Sequence, residues 1–318
     1  SLAGCAHWDF DESSGAPYDP YAKYLKDGKY YYDEGCTEYA EGGSYIAKDG
    51  HTYYGNVFGG GSGSVPYFDN TLGRSVYLNS AGTVKGNTKV TISGGHILTS
   101  VYGGCEATNV LGTAKVTMTG GTIGVPRTED EIQAHPVICN LFGAGKGDQR
   151  VFFNKDTNVE NAEVSVSGTA KIYGSVFGGG EDGHVMKNST VTIGDGANIG
   201  TLGYSGFDGN VFGGGRGFGG DALTAGNVGG DVEVNITGGT MLGSVYGGGR
   251  LASVGYGLYL VDEEVDNEKP YGVMREDGKD DNGNSVGGFT RGHVKVNVSG
   301  GIIGNDVEST DTHTKGGN

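Results

Sequence analysis

The chain has 318 residues and a formal net charge of −16, from 22 Lys and Arg against 38 Asp and Glu. That balance works against nucleic acid and anionic membrane as partners, because both recruit clustered positive charge. No run of about 18 apolar residues occurs, so no segment reads as a membrane-spanning helix. With 66 Gly and 6 Pro, the composition approaches low complexity unless the glycines are periodic.

Residues 1–50 carry no glycine string and are crowded with Tyr, Asp and Glu, as in YDPYAKYLKDGKYYYDEGCTEYAEGGSY. They read as an N-terminal cap with an aromatic underside, since the end of a strand stack exposes backbone edges that need cover. Leu2-Ala3-Gly4-Cys5 resembles a lipobox but lacks the preceding apolar stretch, and no charged-then-apolar leader opens the chain, which therefore reads as mature or trimmed. Cys5, Cys36, Cys105 and Cys139 are too few for a disulfide scaffold and lack CxxC spacing, although a Cys5–Cys36 bridge fits the cap.

From residue 51 the glycines become periodic. NVFGGG at 56 is followed by SVYGGC at 100, NLFGAG at 140, SVFGGG at 175, NVFGGG at 210 and SVYGGG at 244. Between these strings lie alternating segments: KVTISGG at 89, KVTMTGG at 115, EVSVSG at 163, TVTIG at 190, EVNITGG at 233 and KVNVSGG at 295. Short glycine-bounded segments such as HILTS at 96 and KIYGS at 171 follow them. Period-two alternation of Val and Ile with Thr, Ser, Lys and Glu predicts strands with one buried and one wet face. No helical periodicity of crossover length accompanies them, which excludes a doubly wound α/β fold. Three short strands per unit, with glycine at recurrent corners, predict an all-β, right-handed parallel β-helix of about six coils over residues 51–308, with a tail at 309–318. A β-propeller is the alternative, although its antiparallel blades call for hairpin turn signals that are scarce here.

Superimposed bends explain the glycines, because a Cβ at a corner would meet the corner of the next coil. The residue opening each string, Asn56, Ser100, Asn140, Ser175, Asn210 and Ser244, forms a column of short polar groups expected to hydrogen-bond along the stack. The insertions at 125–137 and 251–290 interrupt the repeat, and long loops are where function tends to sit.

Candidate chemistry is sparse. Strings such as Gly178-x-Gly180-x-x-Gly183 imitate GxGxxG, but a strand follows where a phosphate-binding helix is required, so nucleotide cofactors are not expected. Asp221, in GGGRGFGGD, and Asp277, Asp280 and Asp281, in EDGKDDNGNS, are the carboxylates that an adventitious Ca²⁺ would use; neither string has the spacing of a known calcium loop. The position after each glycine string reads Ser62, Glu106, Lys146, Glu181, Arg216, Arg250. A glycosidase needs a carboxyl group that can hold a proton. Here cations flank Glu106 and Glu181 and favour the charged form, so the column reads as a salt-bridged ladder on a wet face. His184, in GGGEDGHV, reads as part of a surface turn.

Phe58, Tyr102, Phe142, Phe177, Phe212 and Tyr246 occupy one position in every unit, next to a Val or Leu that must point the other way. If the rings are inside or covered they stack as packing, which is the favoured reading. If they are outside they make a ridge suited to sugar rings, and these six become the ligand-binding residues. The outward column Thr91, Thr117, Ser165, Thr192, Asn235, Asn297 lacks the flat apolar-hydroxyl surface of ice-binding solenoids, because charged residues flank it.

GNVFGGGSGSVPYFDN, GTAKVTMTGGTIGVP, NLFGAGKGDQRVFF, GSVFGGGEDGHV, GNVFGGGRGFGGDALTAGNVGG and GSVYGGGRLASVGYG resemble segments of large Gly-rich, adhesin-like surface proteins of gut-dwelling Gram-negative anaerobes, over about residues 51–304. The resemblance implies a secreted or cell-surface location and a β-helical stalk or binding module within a longer polypeptide, with glycans or host surface proteins as partners. It carries over no catalytic residues. The expectation is therefore a non-enzymatic adhesin-like module. A polysaccharide lyase or glycoside hydrolase on the same fold, and a pure spacer, are the alternatives.

Overall fold

Strands that alternate apolar and polar residues can bury one face only by lying beside one another, and the repeats do so in register. The structure, a computed structural model, describes residues 6–7, 24–26, 29–31, 55–63, 67–69, 74–76, 82–134, 138–147, 157–202, 208–217, 226–255 and 291–305. Backbone contacts divide the chain into two compact units, Ser1–Tyr53 with Gly63–Leu78, and Tyr54–Ser62 with Asn79–Asn318. In the first, strands Ala6–His7, Tyr24–Lys26 and Lys29–Tyr31 form a small antiparallel sheet. Tyr67–Asp69 and Arg74–Val76 form an antiparallel hairpin. Most of the segment read as a cap lies outside the described residues, as does the insertion from 256 to 290.

The second unit is built from parallel sheets. Six two-residue strands, Val57–Phe58, Val101–Tyr102, Leu141–Phe142, Val176–Phe177, Val211–Phe212 and Val245–Tyr246, lie side by side in sequence order. Aliphatic pairs with aliphatic and ring with ring throughout. The long strands Thr88–Ile97, Val110–Ile123, Asn158–Val166, Ser189–Ile193, Val232–Met241 and Val294–Ile303 pair in parallel in the same way, so that Val90, Val116, Val164, Val191, Val234 and Val296 form one column. Two further ladders of parallel bridges complete each repeat. One is Ser62, Glu106, Lys146, Glu181, Arg216, Arg250, and the other includes Val185, Val228 and Val254. No pairing between described strands of this unit is antiparallel, so these segments do not form propeller blades.

The expected division into alternating segment and short third strand is only partly kept. In Thr88–Ile97, Val110–Ile123, Val232–Met241 and Val294–Ile303 the two run on as one strand. The Gly-Gly pair bends the strand instead of ending it, with Gly121 at φ +85° and pairing resuming at Thr122 and Ile123. The aliphatic columns point inward: Val116, Met118, Ile123, Val166, Ile172, Val191, Ile193, Val234 and Ile236 are fully buried in one cluster. Such continuous burial of β-branched residues is the dominant stabilising term for a unit of this kind.

The first glycine of each string is required by contact and not by conformation. A Cβ on Gly59, Gly103, Gly143 or Gly178 would lie 2.1–2.2 Å from the carbonyl oxygen of the corresponding glycine in the next repeat. None of the four has positive φ. The insertion at 125–137 contains one short helix, Glu129–Ala134. A capping box starts it: the Thr128 backbone N–H donates to Glu131 Oε2 at 2.7 Å, and the Glu131 N–H donates to Thr128 Oγ1 at 3.3 Å.

Candidate functional site

The polar column that opens each glycine string is bonded from one repeat to the next. Asn56 Oδ1 accepts the Ser100 N–H (3.1 Å), Ser100 Oγ accepts the Asn140 N–H (3.2 Å), and Asn140 Oδ1 accepts the Ser175 N–H (2.8 Å). Ser175 Oγ then accepts the Asn210 N–H (3.2 Å), and Asn210 Oδ1 accepts the Ser244 N–H (2.9 Å). A short side-chain acceptor at the strand entrance satisfies a backbone donor that the sheet ladder does not reach. These side chains therefore hold the stack together.

Two more such ladders run down the unit, and sequence reasoning missed both. Asn87 serves Thr113, Asn161 serves Asn188, Asn188 serves Asp231, and Asp231 serves His293, each through side-chain oxygen and backbone N–H. In the other ladder, Asn109 Oδ1 accepts the Asn158 N–H, His184 Nδ1 accepts the Asn227 N–H at 3.2 Å, and Asn227 Oδ1 accepts the Ser253 N–H. Asn188 and Asp231 precede their strands, which was the available signal. His184 is accordingly a buried acceptor and not part of a surface turn. Burial lowers its pKa to about 4, so it is neutral near pH 7, as an accepting imidazole nitrogen must be.

The six rings form one continuous stack. Successive centroids from Phe58 to Tyr246 are 4.6–5.1 Å apart with interplanar angles of 3–12°. The spacing is that of neighbouring strands, which carry the rings with them. Tyr102, Phe142, Phe177 and Phe212 are buried to 4% or less and form a cluster separate from the Val/Ile core. They project from the opposite side of their sheet and are covered there. An exposed ridge of six rings is therefore not formed, and of the six only Tyr246, the last in the stack, is exposed, at 44%. Packing, not a sugar platform, accounts for the middle of the column.

Beside the rings runs the charged ladder. Its early members are partly solvated, with Lys146 Nζ 3.6 Å from Glu106 Oε1 and the Ser62 hydroxyl donating to Glu106 Oε2 at 3.0 Å. The expected wet face does not continue, because Glu181 and Arg216 are buried. Tyr102 donates its hydroxyl to Glu181 Oε2 at 2.5 Å, which links ring column and charged column. Burial first, and the Glu181 charge second, hold the Tyr102 phenol well above its usual pKa. Burial lowers the Arg216 pKa to about 10, opposed by the attraction of Glu181, so it remains a cation. The residue after Glu181, Asp182, is buried and sits at φ +57°; Ala107 and Leu251 hold the same ladder position at φ +50° and +52°. A side chain with positive φ in three repeats shows that the bend after this ladder is imposed by stacking. Tyr102, Glu181 and Arg216 are thus buried together, with the hydroxyl bonded to the carboxylate and the guanidinium attracted by the same charge.

Among the described residues no group of three or more His, Cys, Asp and Glu is placed to hold a metal ion. Asp221, Asp277, Asp280 and Asp281 lie outside the described residues, as do Cys5 and Cys36. Cys105 and Cys139 are free and buried, and burial pushes both thiols up. No described helix is long and apolar enough to cross a membrane. No family model, no curated protein and no solved structure matches the chain.

Proposed function

We propose that the chain is a right-handed parallel β-helix that serves as the stalk of a non-enzymatic, adhesin-like protein acting outside the cell or on its surface. Right-handedness follows from the strong preference of parallel crossovers. One observation carries the functional reading: the polar and aromatic columns that could do chemistry are committed to joining one repeat to the next. The Asn/Ser ladder caps backbone donors, the rings stack on one another, and Glu181 is held by Tyr102. Such columns make a stiff unit whose length grows by adding repeats, which suits presentation of a binding region away from a surface. Adhesion to glycans or host surface proteins belongs, in this reading, to the exposed parts of the chain.

Three measurements on the full chain and its source cells test this. Protease shaving of intact cells should release fragments of the protein, and full protection would overturn the surface location. A panel of acidic and neutral polysaccharides should yield no new reducing ends or unsaturated products; release of either would establish the enzyme alternative. On a glycan array, binding that survives Tyr246→Ala would place adhesion off the ring column, and no binding at all would reduce the role to a spacer.

A further inference from the structure

The long sheet of the second unit has an outward face on which charges are paired from strand to strand, except at one place. Its first outward column reads Lys89, Lys115, Glu163, Thr190, Glu233, Lys295 in register. Lys115 Nζ lies 2.7 Å from Glu163 Oε2, and Lys295 Nζ lies 3.3 Å from Glu233 Oε1. At the approach to these strands Lys187 Nζ meets Glu160 Oε1 at 2.5 Å. Lys85 and Lys89 break the pattern: both are exposed, and neither has a carboxylate partner among the described residues. Lys89 stands in register beside Lys115 instead, with the two backbones about 4.8 Å apart. Like charges on neighbouring strands destabilise their pairing. With 38 Asp and Glu against 22 Lys and Arg, carboxylates are in excess along the chain, so two neighbouring lysines without one depart from the rest of the face.

We propose that Lys85 and Lys89, with Lys115 beside them, bind the carboxylates of a uronic-acid polysaccharide that lies flat on this face. The proposal rests on the reading of the chain as an adhesin and names one class of glycan and the face that holds it. Charge complementarity comes first. Each lysine presents a compact point charge with three rotatable donors, which suits a single carboxylate. The neighbouring side chains suit a polyol. Thr91 and Ser93 follow Lys89 along its strand, and Thr117 and Thr119 follow Lys115, all pointing away from buried Val90, Ile92, Val116 and Met118. Leu111, 60% exposed, stands next to Lys85 and offers an apolar surface to the C–H side of a sugar ring. Other anionic polymers fit less well. A formal charge of −16 repels a chain with a phosphate or several sulfates per unit more than one with at most a single carboxylate per sugar. Neither Thr88–Ile97 nor Val110–Ile123 contains Phe, Tyr or Trp, so nucleic-acid bases find no ring to stack on.

Isothermal titration calorimetry of the full chain with alginate oligomers, dextran and dextran sulfate tests this. Alginate should bind and dextran should not, and the alginate affinity should fall as salt rises from about 50 to about 300 mM. The double variant Lys85→Gln with Lys89→Gln should raise the alginate dissociation constant by about tenfold or more, with circular dichroism confirming an intact fold. Lys187→Gln, on the same face but already paired with Glu160, should leave it unchanged. Lys89→Glu separates binding from stability: it should abolish alginate binding while raising the urea midpoint, because it removes the like-charge contact with Lys115. No binding of alginate, equal binding of dextran, binding of dextran sulfate alone, or a loss as large in Lys187→Gln as in the double variant would each overturn the proposal. None of these results bears on surface location, which protease shaving reads, so failure here is distinguishable from failure of the adhesin reading.

Discussion

Gly179→Ala and Gly248→Ala form a matched pair that tests the stacking directly. Both are the second glycine of their strings, yet a Cβ on Gly179 would fall 2.6 Å from Gly215 N and 2.7 Å from Gly215 Cα, whereas a Cβ on Gly248 has nothing within 4 Å. Gly248 is open because it belongs to the last glycine string, beyond which no further string is described. Neither has positive φ, so the substitutions differ only in what lies across from them. Overpacking against backbone that cannot rotate away costs about 1–3 kcal/mol. Alanine at an unstrained glycine instead gains about 0.4–1 kcal/mol by restricting the unfolded chain. The contrast is about 2 kcal/mol or more, which for a unit of this size is about 4–8 °C in Tm. Urea unfolding followed by circular dichroism, with a thermal melt as a second probe, reads it. Equal effects at the two positions would refute the idea that these glycines exist because another repeat lies directly across from them.

Phe142→Ala should cost about 3–5 kcal/mol, because the ring is fully buried between Tyr102 and Phe177, while Tyr246→Ala at the exposed end of the stack should cost clearly less. Asn140→Ala removes the acceptor of the Ser175 N–H in a buried site and should cost about 1–3 kcal/mol by the same urea assay, with Asn140→Ser the milder change. His184 gives a pH dependence. Its folded pKa of about 4 lies below the unfolded value near 6.5, so between these values the unfolded chain binds the extra proton. Stability should therefore be complete above about pH 6.5 and fall as pH drops towards 4, by about 3 kcal/mol in all. His184→Asn, which supplies the acceptor used elsewhere in that ladder, should flatten the pH profile without loss at pH 7; an unchanged profile would show that another group titrates.

How much of this was legible in the sequence differs from column to column. Val90, Val116 and Val164 could be aligned by eye because alternation has a period of two and a strand pairs register by register. The Asn56-to-Ser244 ladder was equally readable, since a short polar residue recurs just before each glycine string. The helix Glu129–Ala134 was signalled only by Thr128-x-x-Glu131, a local cue too short to stand out beside a repeat. His184 was misread because a histidine among Glu181, Asp182 and glycines looks like a solvated turn, and only the neighbouring strands reveal that the turn is buried.

What the sequence determined by itself was which residues stand over which, because periodic glycines and alternating strands leave few registers that bury the aliphatic side. What only the tertiary structure decided was which columns meet water. The rings of Phe142 and Phe177, and the charges of Glu181 and Arg216, point away from the Val/Ile core and would be exposed on a lone sheet, yet both pairs are buried. Burial of an outward face depends on what is folded over it from far along the chain, and no local pattern records that. The same reason explains Val294 and Val296, whose letters match those of buried Val232 and Val234 while their side chains lie open at the end of the stack.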